Sequence, residues 1–125
     1  MVATTMTPVT TVAAGILAVN AAAVDAANGN QFTNPTGRAI MEVIHTGASG
    51  TPITVAFTTQ GTYAVGGSSG AIYNIADLNV SVTNGTSKWC GPFDTTLFND
   101  ANGNVQVSWS TATNVTARVI QLGTF

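Results

Sequence analysis

Short runs in which apolar and polar residues alternate one by one recur along the chain from residue 38 onward. In the clearest run, Val105, Val107 and Trp109 alternate with glutamine and serine. Successive side chains of a β-strand point to opposite faces, so this period of two predicts a strand with one buried face. Three other runs share the pattern, with apolar positions at Ile53, Val55 and Phe57, at Leu78, Val80 and Val82, and at Val115, Ala117 and Val119.

Residues that favour turns separate these runs at short intervals. They are the segments 34–37 (NPTG), 47–50 (GASG) and 66–70 (GGSSG) and the pairs Asn84-Gly85 and Asn102-Gly103. The segment 38–45 (RAIMEVIH) is apolar on both faces apart from Glu42, which predicts a strand in the middle of a sheet. Short strands with this spacing predict an all-β fold, either an antiparallel β-sandwich or a jelly-roll-like barrel with Greek-key connections.

The chain of 125 residues fits one domain. We expect an extended N-terminal arm over residues 1–11 and a single β-sandwich domain over residues 12–125. The segment 12–24 (VAAGILAVNAAAV) has no preceding positive charge and is too short to span a membrane as a helix. It predicts a strand, although the alanines leave a brief helix over 21–27 open. Cys90 is the single cysteine, which excludes an intrachain disulfide and predicts a small buried side chain.

Charged residues are unusually rare in this chain. They make up 6% of the sequence, against about 25% in an ordinary domain. The net charge is −2 and the three basic residues do not cluster, so we expect no electrostatic binding to nucleic acid. A surface of threonine, serine, asparagine, glutamine and glycine has little charge repulsion to keep copies apart. The composition therefore predicts a protein that works within an assembly.

Neither a metal site nor a catalytic set follows from the spacing of polar residues. Asp100 and Asn102 resemble the start of a calcium loop, but Thr111 stands where the loop needs its last acidic ligand. We therefore interpret residues 99–104 as a turn. His45 is the sole histidine, and Glu42 lies on the opposite face of its predicted strand. We expect no cofactor and no enzymatic activity.

Aromatic residues leave a second class of function open. Trp89, Trp109, Tyr63 and Tyr73 would suit a platform on which a sugar ring stacks. Trp109, however, is in phase with Val105 and Val107, and Trp89 precedes the apolar cluster at 90–93. We expect both tryptophans to lie in the core. A carbohydrate-binding β-sandwich module remains the alternative to a protein that works within an assembly.

Two long stretches carry a family resemblance. Residues 25–57 (DAANGNQFTNPTGRAIMEVIHTGASGTPITVAF) and 91–109 (GPFDTTLFNDANGNVQVSW) resemble small structural proteins of tailed-bacteriophage virions. The residues that match the family pattern are Gly37, Arg38, Glu42, Val43, Gly91, Pro92, Phe93 and Leu97. The segment 60–75 (QGTYAVGGSSGAIYNI) departs from the pattern as a longer insert.

This resemblance implies a capsid decoration or cement protein that is made in the host cytoplasm and resides on the capsid surface. Its implied partner is the major capsid protein, with further copies of the chain as an oligomer on the lattice. The alternative, a carbohydrate-binding β-sandwich, would be displayed on a virion or secreted. In a decoration protein, Phe93 and Leu97 would close the end of the sandwich. The residues predicted to contact a partner lie in the arm: Val2, Thr4, Thr5, Met6, Thr7, Pro8 and Val9. Pro8 is compatible with an edge strand or an extended arm, and the simpler alternative is a frayed terminus.

Overall fold

The computed structural model describes residues 2–11, 21–47, 50, 52–65 and 71–123, with backbone alone over 62–65 and 71–74. The predicted turns at 48–49 and 66–70 and the segment 12–20 lie outside the described residues. The strands are β1 (Thr4–Thr5), β2 (Val9–Thr10), β3 (Ala22–Ala23), β4 (Asn30–Thr33), β5 (Ala39–His45), β6 (Ile53–Phe57), β7 (Thr62–Val65), β8 (Ala71–Asn74), β9 (Leu78–Val82), β10 (Thr86–Cys90), β11 (Asn104–Trp109) and β12 (Val115–Gln121). A short helix, α1 (Thr95–Phe98), lies between β10 and β11.

Two sheets pack face to face and enclose the core. The first sheet has the order β1-β4-β11-β6-β9, and the second has the order β10-β5-β12-β2, with β3 also paired to β12. Strands β7 and β8 form a separate hairpin in the connection from β6 to β9. The predicted β-sandwich is confirmed, whereas the jelly-roll-like barrel is not formed because the two sheets do not close on each other. The segment 38–45 does lie centrally, since β5 pairs with both β10 and β12.

The expectation of purely antiparallel pairing is wrong at the N-terminus. Strand β1 pairs parallel to β4, and β2 pairs parallel to β12, so both sheets are mixed. The long ladders, such as β5 with β12 and β6 with β9, are antiparallel as expected. Alternation specifies which face of a strand is buried, but it carries no information on the direction of the neighbouring strand.

The core consists largely of the alternating residues. Val105, Val107 and Trp109 of β11 are buried, and so are the apolar positions predicted in β6 and β12. Strand β9 departs from this pattern, because Leu78 is 41% exposed and Val80 is only partly buried at the outer strand of the first sheet. Cys90 is buried as predicted, and burial raises the pKa of its thiol.

A compact corner connects β10 to β11. Phe93 is fully buried, and its ring packs against Phe32, Phe57 and Phe98 at centroid distances of 5.6, 4.6 and 5.4 Å. Asp94 caps α1 by accepting hydrogen bonds from the backbone of residues 96 and 97. The prediction that Phe93 closes the end of the sandwich is confirmed. Its buried neighbour on α1 is Phe98, while Leu97 is only partly buried.

The short helix considered over 21–27 is not formed. Residues 22 and 23 belong to β3, and a turn follows at 26–28. The carboxylate of Asp25 accepts hydrogen bonds from the backbone N–H groups of Ala27 and Asn28, which holds the turn. Gly29 ends it with a φ of +78°, and a Cβ there would lie 2.7 Å from the carbonyl oxygen of Val107. Local side-chain bonding therefore outweighs the helix propensity of the alanines. Within the described part of the chain, no helix is long and apolar enough to cross a membrane.

Candidate interaction surfaces

The N-terminal arm lies across one open side of the sandwich and joins its two sheets. The backbone N–H groups of Thr4 and Met6 donate to the carbonyls of Gly29 and Gln31 on the first sheet. Further along, Thr11 N–H donates to the carbonyl of Gln121 on the second sheet. Between these anchors the Met6 side chain is buried in the core. Residues 2–11 are therefore docked on their own domain through short strand pairings with both sheets.

The side chains predicted to contact a partner differ in exposure. Val2 is 83% exposed and Val9 is 37% exposed, whereas Met6 belongs to the core. Thr4, Thr5 and Thr7 are exposed, and Pro8 is half-buried. The arm thus presents an uncharged surface of threonines and two valines, which we call the arm surface (residues 2, 4, 5, 7 and 9). Partner contact by these residues stays a prediction.

A polar cluster fastens the arm to the core. The hydroxyl of Thr4 donates to Asp25 Oδ2 at 2.6 Å, and Asn30 Nδ2 donates to the Thr4 carbonyl at 3.2 Å. The buried Asn30 in turn accepts hydrogen bonds through Oδ1 from Asp25 N–H and from Trp109 Nε1. Hydrogen bonds lower the pKa of Asp25 to about 2. The bond from the Thr4 hydroxyl has the largest effect, and the bonds from the backbone N–H and the side chain of Asn28 come next. Asp25 therefore links the arm to the turn before β4.

Replacement of Thr4 by valine should raise the pKa of Asp25 from about 2 towards its ordinary value of 3.8. Because the folded-state pKa is depressed, the stabilising contribution of Asp25 is complete above about 3.8 and is lost as the pH falls towards 2. An NMR titration of the Asp25 carboxyl carbon measures both values. Thr5→Val is the matched control, since the Thr5 hydroxyl accepts from Gln31 instead. An Asp25 pKa near 3.8 in the unmodified protein would contradict the described contact.

A cleft of about 200 Å³ opens beside the arm. Its walls are residues 4–7 of the arm, both residues of β3 and residues 117–119 of β12, with Asn30 also lining it. The lining side chains are mainly threonine hydroxyls and alanine methyls, and Arg118 supplies the charged group. Apart from Arg118, the cleft thus continues the uncharged character of the arm surface.

Every acidic side chain forms hydrogen bonds within the fold. Beside Asp25, they are Asp77 with Thr59 N–H, Asp94 at the start of α1, Asp100 in its turn, and Glu42 with Arg118. Both arginines are also used, since Arg38 Nη2 donates to the carbonyl of Gly123 at 2.9 Å. The five acidic side chains therefore stabilise turns, the start of α1 and the pairing of β5 with β12.

The cluster at 99–104 is a turn, as predicted. Asp100 Oδ1 accepts from the backbone N–H groups of Asn102 and Asn104, and Oδ2 accepts from Gln106 Nε2 at 2.7 Å. Burial acts to raise the pKa of Asp100, but these hydrogen bonds outweigh it and hold the pKa below its ordinary value. Among the described residues, no three histidine, cysteine or acidic side chains come together as a metal site.

His45 lies at the end of β5 and is buried. Its Nδ1 accepts a hydrogen bond from the backbone N–H of Gly47 at 3.4 Å. Glu42 is directed to the other face of β5, where it pairs with Arg118. The structure therefore does not bring Glu42 and His45 together, in agreement with their odd spacing.

The two tryptophans have opposite environments, and the prediction that both lie in the core is wrong for Trp89. Trp109 is 7% exposed, whereas Trp89 is 50% exposed. Strand β10 is at the edge of the second sheet, and its alternation directs Cys90 inward and Trp89 outward. The apolar sequence around Trp89 reflects the burial of Cys90 and Phe93. The side chains of Tyr63 and Tyr73 lie outside the described residues.

Trp89, Glu42 and Arg118 form a single row across the outer face of the second sheet, which we call the indole row. Trp89 is paired in register with Glu42 on β5, and Glu42 is paired with Arg118 on β12. Arg118 Nη2 donates to Glu42 Oε1 and Oε2 at 3.2 and 3.1 Å, and Arg118 Cζ lies 5.8 Å from the centre of the Trp89 ring. Sequence reasoning missed this row, because the ion pair joins residues 76 positions apart.

The fold and these surfaces define a β-sandwich with an N-terminal arm docked across both sheets. No protein-family model matches the chain. Searches of the curated proteins and of the solved structures also found no match.

Proposed function

We propose that this chain is a non-enzymatic structural protein of a bacteriophage virion that binds the outer surface of the capsid lattice as a decoration or cement protein. The observation that carries the proposal is the arm surface, an extended, uncharged and exposed segment that is held on a rigid sandwich. The resemblance to tailed-phage virion proteins, carried by the segments around residues 37–43 and 91–97, supports the same function.

The distribution of charge supports a contact that does not depend on ions. All five acidic side chains and both arginines are engaged within the fold, and the arm contains no charged side chain. A partner would therefore meet hydroxyl groups, main-chain groups and the two exposed valines. An extended segment with such groups can pair with a strand of a neighbouring protein through main-chain hydrogen bonds. The major capsid protein is the proposed partner, with copies of this chain grouped around the symmetry points of the lattice.

Replacement of both Val2 and Val9 by aspartate should abolish binding to capsids without unfolding the domain. Both side chains are exposed, so the change removes apolar contact and places charge at the proposed interface. The measurement is co-sedimentation of the purified protein with capsids of the phage that encodes it, prepared without this protein. Leu78→Asp is the matched control, because Leu78 is 41% exposed on β9, at the edge of the first sheet opposite to β1. Equal binding by both variants would exclude the arm surface as the contact.

The same assay tests the role of charge. Because the proposed interface lacks ions, an increase to about 0.5 M salt, where electrostatic screening acts over only a few Å, should change the affinity by less than about threefold. Release of the protein by salt would show instead that Arg38, Lys88 or Arg118 carries the contact.

A further inference from the structure

We propose that the outer face of the second sheet carries a binding site for a neutral carbohydrate, centred on Trp89. This site goes beyond capsid attachment and does not depend on it. The observation behind it is the indole row, in which an exposed aromatic ring adjoins an ion pair.

The indole row places an apolar surface beside hydrogen-bonding groups. Half of the Trp89 surface is exposed, and the side chain of Arg118 is 29% exposed. The guanidinium group lies within cation–π distance of the ring, and Glu42 fixes the guanidinium in turn. The indole therefore has a partner that orients it before any ligand arrives, which lowers the entropic cost of binding.

The neighbouring row of residues on the same face of the sheet adds hydroxyl groups and an aliphatic side chain. Ser87, Ile44 and Thr116 are paired in register and lie on the same face as the indole row. Ser87 is exposed, while Ile44 and Thr116 are half-buried. The face thus combines one aromatic ring and an aliphatic side chain with two hydroxyl groups. A pyranose ring has the matching character, since its C–H groups form an apolar face and its hydroxyl groups form a polar rim.

Two features favour a neutral sugar over other ligands. Glu42 and Arg118 neutralise each other, so the row offers no net charge to attract an ionic ligand. Addition of a partner's strand to β10 is opposed by Lys88, which is paired with Val43 on the core-side face of this edge strand and remains exposed there. Inward-pointing charges on edge strands are a device that prevents such pairing. A ligand that stacks on the face of the sheet is consistent with both features.

Trp89, the centre of the site, lies away from the arm surface, although Arg118 of the indole row also lines the cleft beside the arm. Strand β10 and strand β2 are the two ends of the second sheet, three strand spacings apart. At about 4.8 Å per spacing, this puts β10 about 14 Å from β2. Variants of Trp89 and variants of the arm can therefore be tested independently.

The experiment applies the full chain to an array of neutral and sialylated oligosaccharides, followed by fluorescence titration with the neutral oligosaccharide that binds most strongly. We expect binding of neutral oligosaccharides, weakened by at least about tenfold in Trp89→Ala, which corresponds to about 1.4 kcal/mol. Trp89→Phe should have intermediate affinity, because a smaller ring remains. Leu78→Ala, which shortens another exposed apolar side chain on the other sheet, should bind as the unmodified protein does.

Three outcomes would overturn the proposal. The first is an array on which no neutral oligosaccharide binds, and the second is unchanged affinity in Trp89→Ala. The third is a decrease in the sedimentation coefficient of the protein alone in Trp89→Ala, which would assign the indole to contact between copies. Thermal unfolding followed by circular dichroism establishes that both Trp89 variants are folded. If Trp89→Ala does not fold, the comparison of Trp89→Phe with Leu78→Ala decides the question.

Discussion

Truncation of Trp109 to alanine should lower the free energy of unfolding by about 3–5 kcal/mol. The side chain is 7% exposed, and its strand β11 pairs with both β4 and β6 in the centre of the first sheet. Its Nε1 donates to Asn30 Oδ1 at 2.8 Å, and Asn30 also bonds Asp25 and the carbonyl of Thr4. The substitution therefore leaves a cavity and weakens the polar cluster that fastens the arm.

Urea unfolding followed by circular dichroism measures this loss. Trp89→Ala is the matched control, because it removes the same side chain from an exposed position and should cost no more than about 1 kcal/mol. Equal losses in the two variants would contradict the assignment of one tryptophan to the core and the other to the surface.

Phe93→Ala should be as destabilising, with a loss of about 3–5 kcal/mol. The ring is fully buried at the corner between β10 and β11, in contact with Phe32 and Phe57 from the first sheet and with Phe98 from α1. Its removal leaves three rings without their shared neighbour. Phe93, directly after Gly91 and Pro92, is therefore the residue on which the packing of this corner depends.

Leu97→Ala is the control for Phe93. Leu97 is only partly buried and packs at the margin of the core, so its truncation should cost about 1 kcal/mol, typical of a single substitution outside the deep core. The comparison uses the same urea unfolding. A larger loss for Leu97 than for Phe93 would mean that α1, rather than the Phe93 ring, closes the end of the sandwich.

The alternating runs predicted most of the core because the period of a strand is a local property. The inward positions of β6, β11 and β12 follow directly from it. Trp89 could not be placed in this way, because its exposure depends on β10 being an edge strand, and the sequence of a strand does not state its position in a sheet. The parallel pairing of β1 and β2 could not be predicted from the sequence either, because it depends on where the arm crosses the folded sandwich.

The candidate surfaces were predictable only in part. Pro8 and the β-branched residues around it indicated an extended arm, but the burial of Met6 and the bond from Thr4 to Asp25 require residues from distant parts of the chain. The indole row has a similar origin, because Glu42 and Arg118 meet only when β5 and β12 pair. A signal was present in the sequence for Glu42, which interrupts a strand that is otherwise apolar on both faces and therefore needs a partner, whereas Arg118 stands at an ordinary polar position of an alternating strand.

The position of this protein in the virion tests the central proposal most directly. A cryo-EM map of the phage particle that encodes the chain should show the sandwich on the outer capsid surface, repeated at equivalent lattice positions, with residues 2–9 at the contact with the major capsid protein. The arm should remain across the open side of the sandwich in that map, with Met6 in the core. Particles that lack the protein, or a map that places it in the tail or at the connector, would contradict a decoration function.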